Sequence, residues 1–224
     1  KKKAIITIEE AIKAKSLLEK PIVYIKGDPT NTISNSEFNL SGTINIGGQE
    51  HFYLEGQAAL AIPHDDGDIT IHCSTQHPTE AQHKVADALK KPMNAVRVQV
   101  RRMGGGFGGK ESQSNALAVA CAIMANQTGK PCKMRYDRDD DMIVTGKRHD
   151  FRINYNVGFN GKGKITGIEF KQFVRCGWSA DLSLAIADRA MLHSDNAYFL
   201  SDAKITSYRL LTNTQSATAF RGFG

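Results

Sequence analysis

The chain has 224 residues, a net charge of +6 and a hydrophobic content of 41%. A chain of this length can bury a substantial core, as one large domain or two small ones. Its 29 basic residues are dispersed, apart from the short run Lys1–Lys3, whereas a nucleic-acid-binding face needs basic and aromatic residues clustered together. The composition therefore indicates a globular protein that binds no nucleic acid, with an anionic ligand as one explanation of the charge.

Simple patterns exclude two further classes. The four cysteines form no Cys-x-x-Cys pair and lie in apolar or strand-like contexts, so the sequence predicts free, buried thiols and no metal site. Such thiols are typical of a reducing compartment, which favours the cytoplasm. No apolar run approaches 18 residues, and the N-terminal segment does not resemble a signal peptide. We expect a cytoplasmic protein that does not enter the membrane.

The N-terminal part predicts a short helix and a strand. Thr7-Ile8-Glu9-Glu10 is a capping box, and Pro21 ends the helical pattern that follows it. Residues 21–25 are strand-like, and the polar stretch 30–36 is predicted to be a connector. Residues 1–36 are therefore expected to form an approach segment, with the main domain over 37–224.

The main domain is predicted to mix strands with helices. Alternating and β-branched runs predict strands over 43–46, 52–55, 58–62, 69–73, 95–100, 132–136, 151–159, 164–175 and 203–210. Apolar periodicity predicts helices from residue 78, over about 111–126 and over about 182–192. Strands 151–159 and 164–175 are expected to pair as a long hairpin. The acidic run 137–141 is predicted to be a solvated, capped turn, and the chain is expected to end inside a loop as a fragment.

A glycine-rich loop over residues 104–109 stands between a predicted strand and a predicted helix. Five glycines in six positions imply a backbone that approaches another group closely. Gly104, Gly106 and Gly109 match the dinucleotide fingerprint G-x-G-x-x-G, although Glu111 would place a carboxylate beside the phosphate. A tight turn that packs a helix on a sheet is the structural alternative. Binding of an anion or cofactor by backbone N–H groups is the favoured interpretation.

Four motifs in order give the chain a close resemblance to the molybdenum-cofactor domain of xanthine dehydrogenases. They are Gly47–Glu55, Arg102–Glu111, Asp137–Met142 with Thr145–His149, and Thr218–Gly224. The resemblance covers essentially the whole chain, which looks like the first part of that domain, truncated at its C-terminus. It implies an α+β fold with mixed β-sheets and packed helices.

The resemblance implies a molybdenum–molybdopterin cofactor. Gln76 matches a glutamine that hydrogen-bonds the oxygen ligands of molybdenum, and Phe107 and Gly108 match backbone contacts to the molybdopterin. Phe220 and Arg221 match a further cofactor contact from a second loop. Gln76, Phe107 and Arg221 are thereby expected near molybdenum without ligating it. By itself, Gln76 would be read as a turn or capping residue.

The resemblance also implies residues that act on a substrate. Glu111 matches a glutamate that hydrogen-bonds a purine, and Arg189 matches an arginine that stabilises negative charge on the heterocycle during hydroxylation. Phe223 matches an aromatic residue that stacks on the substrate ring. Each has a plain alternative: a carboxylate at a helix N-terminus for Glu111, an ion pair with Asp188 or a neighbour for Arg189, and core or loop packing for Phe223.

Together these matches predict an oxidoreductase that hydroxylates purines with water-derived oxygen. FAD and iron–sulfur clusters are expected on other domains or subunits of a dimeric holoenzyme. The general-base glutamate of the family lies beyond this chain, so the chain alone is expected to be inactive. An aldehyde oxidase-type hydroxylase, a Rossmann-like nucleotide-binding module and a non-catalytic assembly domain are the alternatives.

Overall fold

The computed structural model describes residues 3–224, so Lys1 and Lys2 of the basic run lie outside the described residues. The chain folds into two compact units. The first contains the residues up to 49 together with 148–217 and 222–224, and the second contains 50–147 and 218–221. The boundary predicted at residue 36 falls inside the first unit, and the division into an approach segment and a cofactor domain stays a prediction.

Six helices and nine strands occur in the described residues. In chain order they are α1 Ile8–Ala14, β1 Ile22–Lys26, α2 Pro29–Ser34, β2 Phe38–Ile46, β3 Ala58–Pro63, β4 Ile69–Cys73, α3 Pro78–Leu89, β5 Val96–Gln99, α4 Asn115–Thr128, β6 Cys132–Arg135, α5 Arg138–Val144, β7 Phe151–Phe159, β8 Ile165–Gly177, α6 Ser183–Leu192 and β9 Ala203–Leu211. No helix of this part of the chain is long and apolar enough to span a membrane.

The first unit is built on a five-stranded sheet in the order β1-β9-β8-β7-β2. β7 and β8 form the predicted long hairpin, closed by a turn in which the Gly163 N–H donates to the Asn160 carbonyl. β8 and β9 run parallel, which requires a crossover, and α6 lies in that connection. Helix α1 begins with the predicted capping box and buries Ile8 and Ala11 against the sheet.

The second unit is a four-stranded sheet in the order β5-β4-β3-β6. β3 is antiparallel to both of its neighbours, and β5 is parallel to β4. The alternate residues Ile69, Ile71 and Cys73 of β4 point into a core shared with α3 and α4. Both sheets contain parallel and antiparallel pairs, so the predicted α+β fold with mixed sheets and packed helices is confirmed.

Several local predictions were wrong for physical reasons. Residues 29–34 form helix α2, because Pro29 stands at its first turn and the Asp28 carboxylate accepts from the Asn31 N–H. Residues 52–55 form no strand and instead contact the glycine loop. Helix α4 starts at Asn115, four residues later than predicted, so Glu111 is not part of a helix. Three cysteines are buried free thiols as predicted, whereas Cys132 is partly exposed.

His149 is a buried titratable group of the first unit. Its side chain is 1% exposed, and its Nε2 lies 2.7 Å from the Ser183 Oγ. Burial lowers the pKa of His149 to about 4, and the nearby Arg175 acts in the same direction. The folded chain therefore holds the imidazole neutral at a pH where the unfolded chain is protonated.

We predict that the chain loses stability in mild acid through His149. Because the folded pKa lies below the unfolded one, this contribution is complete above about pH 6.5. It falls by about 3 kcal/mol as the pH drops to 4. Chemical denaturation of the chain across this range measures the loss. His149→Gln keeps a polar partner for Ser183 and is expected to flatten the profile; an unchanged profile in that variant would contradict the assignment.

Candidate functional site

The glycine loop, defined here as residues 104–110, belongs to the second unit and has both of its ends fixed on Glu55. At the first end, the Gly104 N–H donates to the Glu55 carboxylate over 2.9 Å, and the Glu55 N–H donates to the Gly104 carbonyl over 3.1 Å. At the second end, the Lys110 ammonium donates to the Glu55 carbonyl over 2.7 Å and to its carboxylate over 3.2 Å. One residue therefore closes the loop.

Lys110 is fully buried, which is unusual for a lysine. Its ammonium also donates to the Ser74 Oγ over 2.8 Å and lies 4.6 Å from the centre of the Tyr53 ring. Burial lowers the pKa of Lys110, and the adjacent Glu55 carboxylate opposes that shift. Burial raises the pKa of Glu55. Hydrogen bonds from Gly104, Ser74 and Lys110 outweigh this effect and hold the pKa of this carboxyl below its usual value.

Gln76 is attached to the same loop. It lies between β4 and α3, and its N–H donates to the Lys110 carbonyl over 2.8 Å. Its side-chain oxygen accepts from the Gly108 N–H at 2.9 Å and from the Lys110 N–H at 3.2 Å. A Cβ at Gly106 would come within 2.5 Å of this oxygen, so only glycine permits the close approach. The oxygen is thus occupied, and the amide nitrogen is the group left to donate to a ligand.

A second loop, residues 218–221, packs on the glycine loop within the same unit. The Arg221 N–H donates to the Phe107 carbonyl over 2.8 Å. Gly108 has φ +95°, and a Cβ there would lie 2.7 Å from the Ala219 backbone. The two loops therefore touch through their backbones. The predicted cofactor residues Gln76, Phe107, Gly108, Phe220 and Arg221 all lie in this pair of loops or beside it.

His51 holds the second loop through a hydrogen bond to its backbone. Its Nε2 lies 2.6 Å from the Ala219 carbonyl, so this nitrogen carries the proton and donates it. The ring lies 5.0 Å from that of Phe220, and a Cβ at Gly109 would come within 2.8 Å of it. Burial lowers the pKa of His51, which favours the neutral imidazole. Its Nδ1 is then a buried acceptor that has no hydrogen-bond partner in the described residues.

A buried network supports these groups. The Asp141 carboxylate accepts from the Tyr53 hydroxyl over 2.6 Å and from the Gln57 N–H over 3.0 Å, and the Gln57 amide donates to the Gly109 carbonyl over 2.9 Å. The prediction of a solvated, capped turn over residues 137–141 was wrong in two respects, because residues 138–141 begin helix α5 and Asp141 is buried, whereas the cap is confirmed. Asp137 caps helix α5, and Asp141 is 2% exposed. The sequence does not reveal this buried carboxylate, because its neighbours in the acidic run are exposed aspartates.

The predicted substrate residues are divided between the two units. Glu111 follows the glycine loop in the second unit and lies between the loop and α4. Arg189 lies on α6 in the first unit and is exposed. Phe223 is in the first unit with φ +55°, next to Gly224, whose Cβ position lies 2.8 Å from the Ile186 carbonyl of α6. The C-terminal residues 222–224 therefore run beside the helix that carries Arg189.

Two of the plain alternatives for these residues are excluded. Glu111 cannot act as a helix N-terminal carboxylate, because α4 begins only at Asn115. Arg189 does not pair with Asp188, whose carboxylate receives the buried guanidinium of Arg209. In the described residues Arg189 takes part in no salt bridge. Sequence reasoning missed the roles of Glu55, His51 and Lys110, and the only signal was their position inside or beside the recognised motifs.

A cleft of about 210 Å³ lies beside the first end of the glycine loop. Glu55 and Ser74 line it together with side chains of β3, β4 and β6, and Arg101, Arg102 and Lys133 make its lining basic. None of these three cations belongs to a salt bridge of the described residues. The cleft therefore presents a positive surface next to the buried ion pair.

The donor set of the two loops fits an anionic pterin cofactor. The N–H groups of Gly106 and Phe107 donate to no acceptor of the described residues, and Gly106 is buried. The Gln76 amide nitrogen and the Arg221 guanidinium add two further donors. Groups of this kind bind phosphate and other anions. In the described residues, no group of three or more His, Cys, Asp or Glu side chains could hold a metal ion.

Comparison with known proteins agrees with this geometry. Residues 14–224 match the family model of the molybdopterin cofactor-binding domain. The chain belongs to this family. It is 46% identical, over 99% of its length and 16% of the relative's, to a xanthine dehydrogenase/oxidase of Gallus gallus. It is 40% identical, over 99% of its length and 17% of the relative's, to a nicotinate hydroxylase of Emericella nidulans.

The fold is shared with more distant proteins. The structure of an aldehyde oxidoreductase from Desulfovibrio gigas superposes with a TM-score of 0.89 over 100% of this chain and 26% of the other, at 22% identity. The chain spans about a sixth of the length of the curated relatives that it matches. In those relatives, the matched domain is therefore one part of a much longer protein.

Family membership and topology together reject the Rossmann-like alternative. In a dinucleotide-binding unit the strand after the helix pairs beside the first strand. Here β6, which follows α4, lies at the opposite edge of the sheet from β5. The first residue of α4 is also separated from the last of these glycines by residues 110–114. A phosphate bound to the loop would therefore not lie at the N-terminus of this helix. The glycine fingerprint is coincidental.

We predict that Gly108→Ala separates the two loops of this molybdopterin domain. The substitution forces a positive φ on alanine and drives its Cβ against the Ala219 backbone, which should destabilise the domain by roughly 1–3 kcal/mol. Thermal unfolding of the chain measures this loss. Gly67→Ala is the matched control, because Gly67 also has a positive φ, at +87°, but no atom within 4 Å of its Cβ position. Equal losses in the two variants would show that only backbone strain matters.

Proposed function

We propose that this chain is the part of a xanthine dehydrogenase-like molybdenum hydroxylase that cradles molybdopterin, in an enzyme that hydroxylates purines such as hypoxanthine and xanthine. The observation that carries the proposal is the pair of backbone-linked loops with Gln76 and Arg221 beside them. Bound molybdopterin would supply two-electron oxidation with oxygen derived from water. The chain's own contribution is to hold the cofactor and to orient the substrate.

The loops have separate roles in holding the cofactor. Phe107 offers its N–H to the pterin and Gly108 its carbonyl, because the Gly108 N–H already donates to Gln76. Phe220 and Arg221 approach the pterin from the second loop. The Gln76 amide nitrogen would donate a hydrogen bond to the bound cofactor on the side of its molybdenum. Gln76, Phe107 and Arg221 act near the metal without ligating it. A backbone cradle suits this task because N–H groups fixed by the fold need no reorganisation when an anion binds.

The substrate roles rest on charge and exposure. Glu111 accepts or donates a hydrogen bond at a purine edge. Arg189 has no salt-bridge partner in the described residues, so its guanidinium is available to stabilise negative charge that develops on the heterocycle. Phe223 offers an aromatic ring for stacking on the substrate. The general base is proposed to be a glutamate elsewhere in the polypeptide, so the chain alone is expected to turn over no xanthine.

The remaining parts of the enzyme are proposed by analogy with the family. FAD and iron–sulfur clusters on other domains or subunits would carry electrons to the acceptor, in a cytoplasmic dimer. The main alternative is another substrate class. A relative named for nicotinate hydroxylation is 40% identical to the chain, which is close to the identity of the xanthine dehydrogenases. Overall similarity therefore does not distinguish a purine substrate from a pyridine carboxylate or an aldehyde. We expect Glu111 and Arg189 to make that distinction.

We predict that Arg189→Met in the full-length enzyme lowers kcat for xanthine by roughly 10²–10³-fold, because one charge-stabilising group is lost from the transition state. Glu111→Leu is expected to raise KM for purines more than it lowers kcat. Steady-state kinetics with xanthine and with an aromatic aldehyde measure both effects, and the aldehyde should be affected less.

Lys204→Met is the control for these kinetics, because it removes a surface ion pair with Glu169 in the first unit. Molybdenum and pterin content are determined for every variant. A full-length protein without molybdopterin would refute the proposed cofactor. Unchanged xanthine kinetics in cofactor-replete Arg189→Met would instead refute the purine role while leaving the cofactor role intact.

A further inference from the structure

The ion pair of Glu55 and Lys110 is costly to the fold, and stability alone does not explain it. Lys110 is completely buried, whereas the side chain of Glu55 is 42% exposed, so the cation bears the larger loss of hydration. Replacing buried ion pairs by apolar groups is often neutral or stabilising. The pair therefore invites an explanation in terms of what it holds in place.

The contacts of the pair show what it holds. The Glu55 carboxylate binds Gly104 at the start of the glycine loop, and the Lys110 ammonium binds Glu55 at the end of it. The seven-residue loop is thereby closed through side chains. No other side chain of the described residues bonds to both Gly104 and Lys110. Opening the loop at its first end breaks the bonds between Gly104 and Glu55, and opening it at its second end breaks the ion pair.

The Lys110 backbone carries the same constraint to Gln76. Its carbonyl accepts from the Gln76 N–H and from the Thr75 hydroxyl, and its N–H donates to the Gln76 side-chain oxygen. Because that oxygen is fixed, the direction of the amide nitrogen is fixed too. A shift of Lys110 would rotate the one side-chain amide that the site offers to the cofactor.

We propose that Glu55 and Lys110 are a positioning pair that sets the direction of the Gln76 amide and of the Gly106 and Phe107 N–H groups toward molybdopterin. The inference rests on the proposed cofactor role and goes beyond it, because neither side chain is among the groups that touch the cofactor. The fully buried cation acts through the loop backbone alone.

The test uses the full-length protein with three variants. Lys110→Met removes the charge at similar length, Glu55→Gln keeps an acceptor for the Gly104 N–H, and the double variant removes both charges. The control is Arg209→Met in the first unit, because Arg209 is also fully buried and also pairs with partly exposed carboxylates, those of Glu19 and Asp188. It matches Lys110 in burial and in the loss of an internal charge.

Three properties are measured on each protein, and the unfolding temperature is the first of them. Hydrogen exchange reports the protection of the glycine-loop N–H groups relative to that of helix α4. The release rate of molybdopterin, followed by pterin fluorescence after dilution, reports how well the loop holds the cofactor. In Lys110→Met both the loop exchange and the release should become roughly tenfold faster or more, since a charged hydrogen-bond network is lost. Arg209→Met should change neither beyond any global loss of stability.

The double variant separates positioning from stability. It leaves no unpaired buried charge, so its unfolding temperature should recover toward that of the wild type, whereas fast loop exchange and fast release should persist. Recovery of all three properties would overturn the positioning role. Unchanged loop exchange in Lys110→Met would also overturn it, even in a protein without cofactor. If the wild-type protein holds no molybdopterin, yet loop exchange is faster in Lys110→Met than in the wild type, the proposed function alone would be refuted.

Discussion

The glycine loop of this domain is closed by one ion pair between the buried Lys110 and the half-exposed Glu55. The lysine is fully buried with its ammonium against Glu55, Ser74 and the Tyr53 ring, and the glutamate receives the N–H at the start of the loop. A loop with five glycines would otherwise have large conformational entropy in the unbound state. Closing it at both ends removes much of that freedom before any ligand arrives, which is the condition for tight and specific binding of an anion.

The backbone does most of the remaining positioning. The glycine loop and the second loop touch through Gly108 and Ala219, and the Arg221 N–H bonds the Phe107 carbonyl. Side chains that support this contact lie behind it: His51 holds Ala219, and Gln57 holds Gly109. The proposed binding groups are therefore backbone N–H groups, the Gln76 amide and the Arg221 guanidinium, whereas the two side chains that support the contact are buried.

The sequence predicted the elements better than it predicted this support. The hairpin β7–β8, the four strands of the second sheet and the capping box at Thr7 follow from local periodicity and turn chemistry, and the structure confirms them, whereas the strand predicted over 52–55 does not form. Asp141 and Lys110 were missed because their partners are distant in the chain: Tyr53 lies 88 residues from Asp141, and Ser74 lies 36 from Lys110. A local pattern cannot distinguish a charged residue that is solvated from one that will be buried.

The same division explains how one fold can serve different substrates. An aldehyde oxidoreductase that is only 22% identical keeps the fold over the whole chain, with a TM-score of 0.89. A backbone contact such as that of Gly108 with Ala219 depends on the absence of a side chain at the glycine and not on side-chain chemistry. Glu111 and Arg189 are side chains on an irregular segment and on a helix, and they can change without disturbing either sheet. Under the proposed function, these two side chains would set the substrate class, whereas the backbone of the two loops would hold the cofactor.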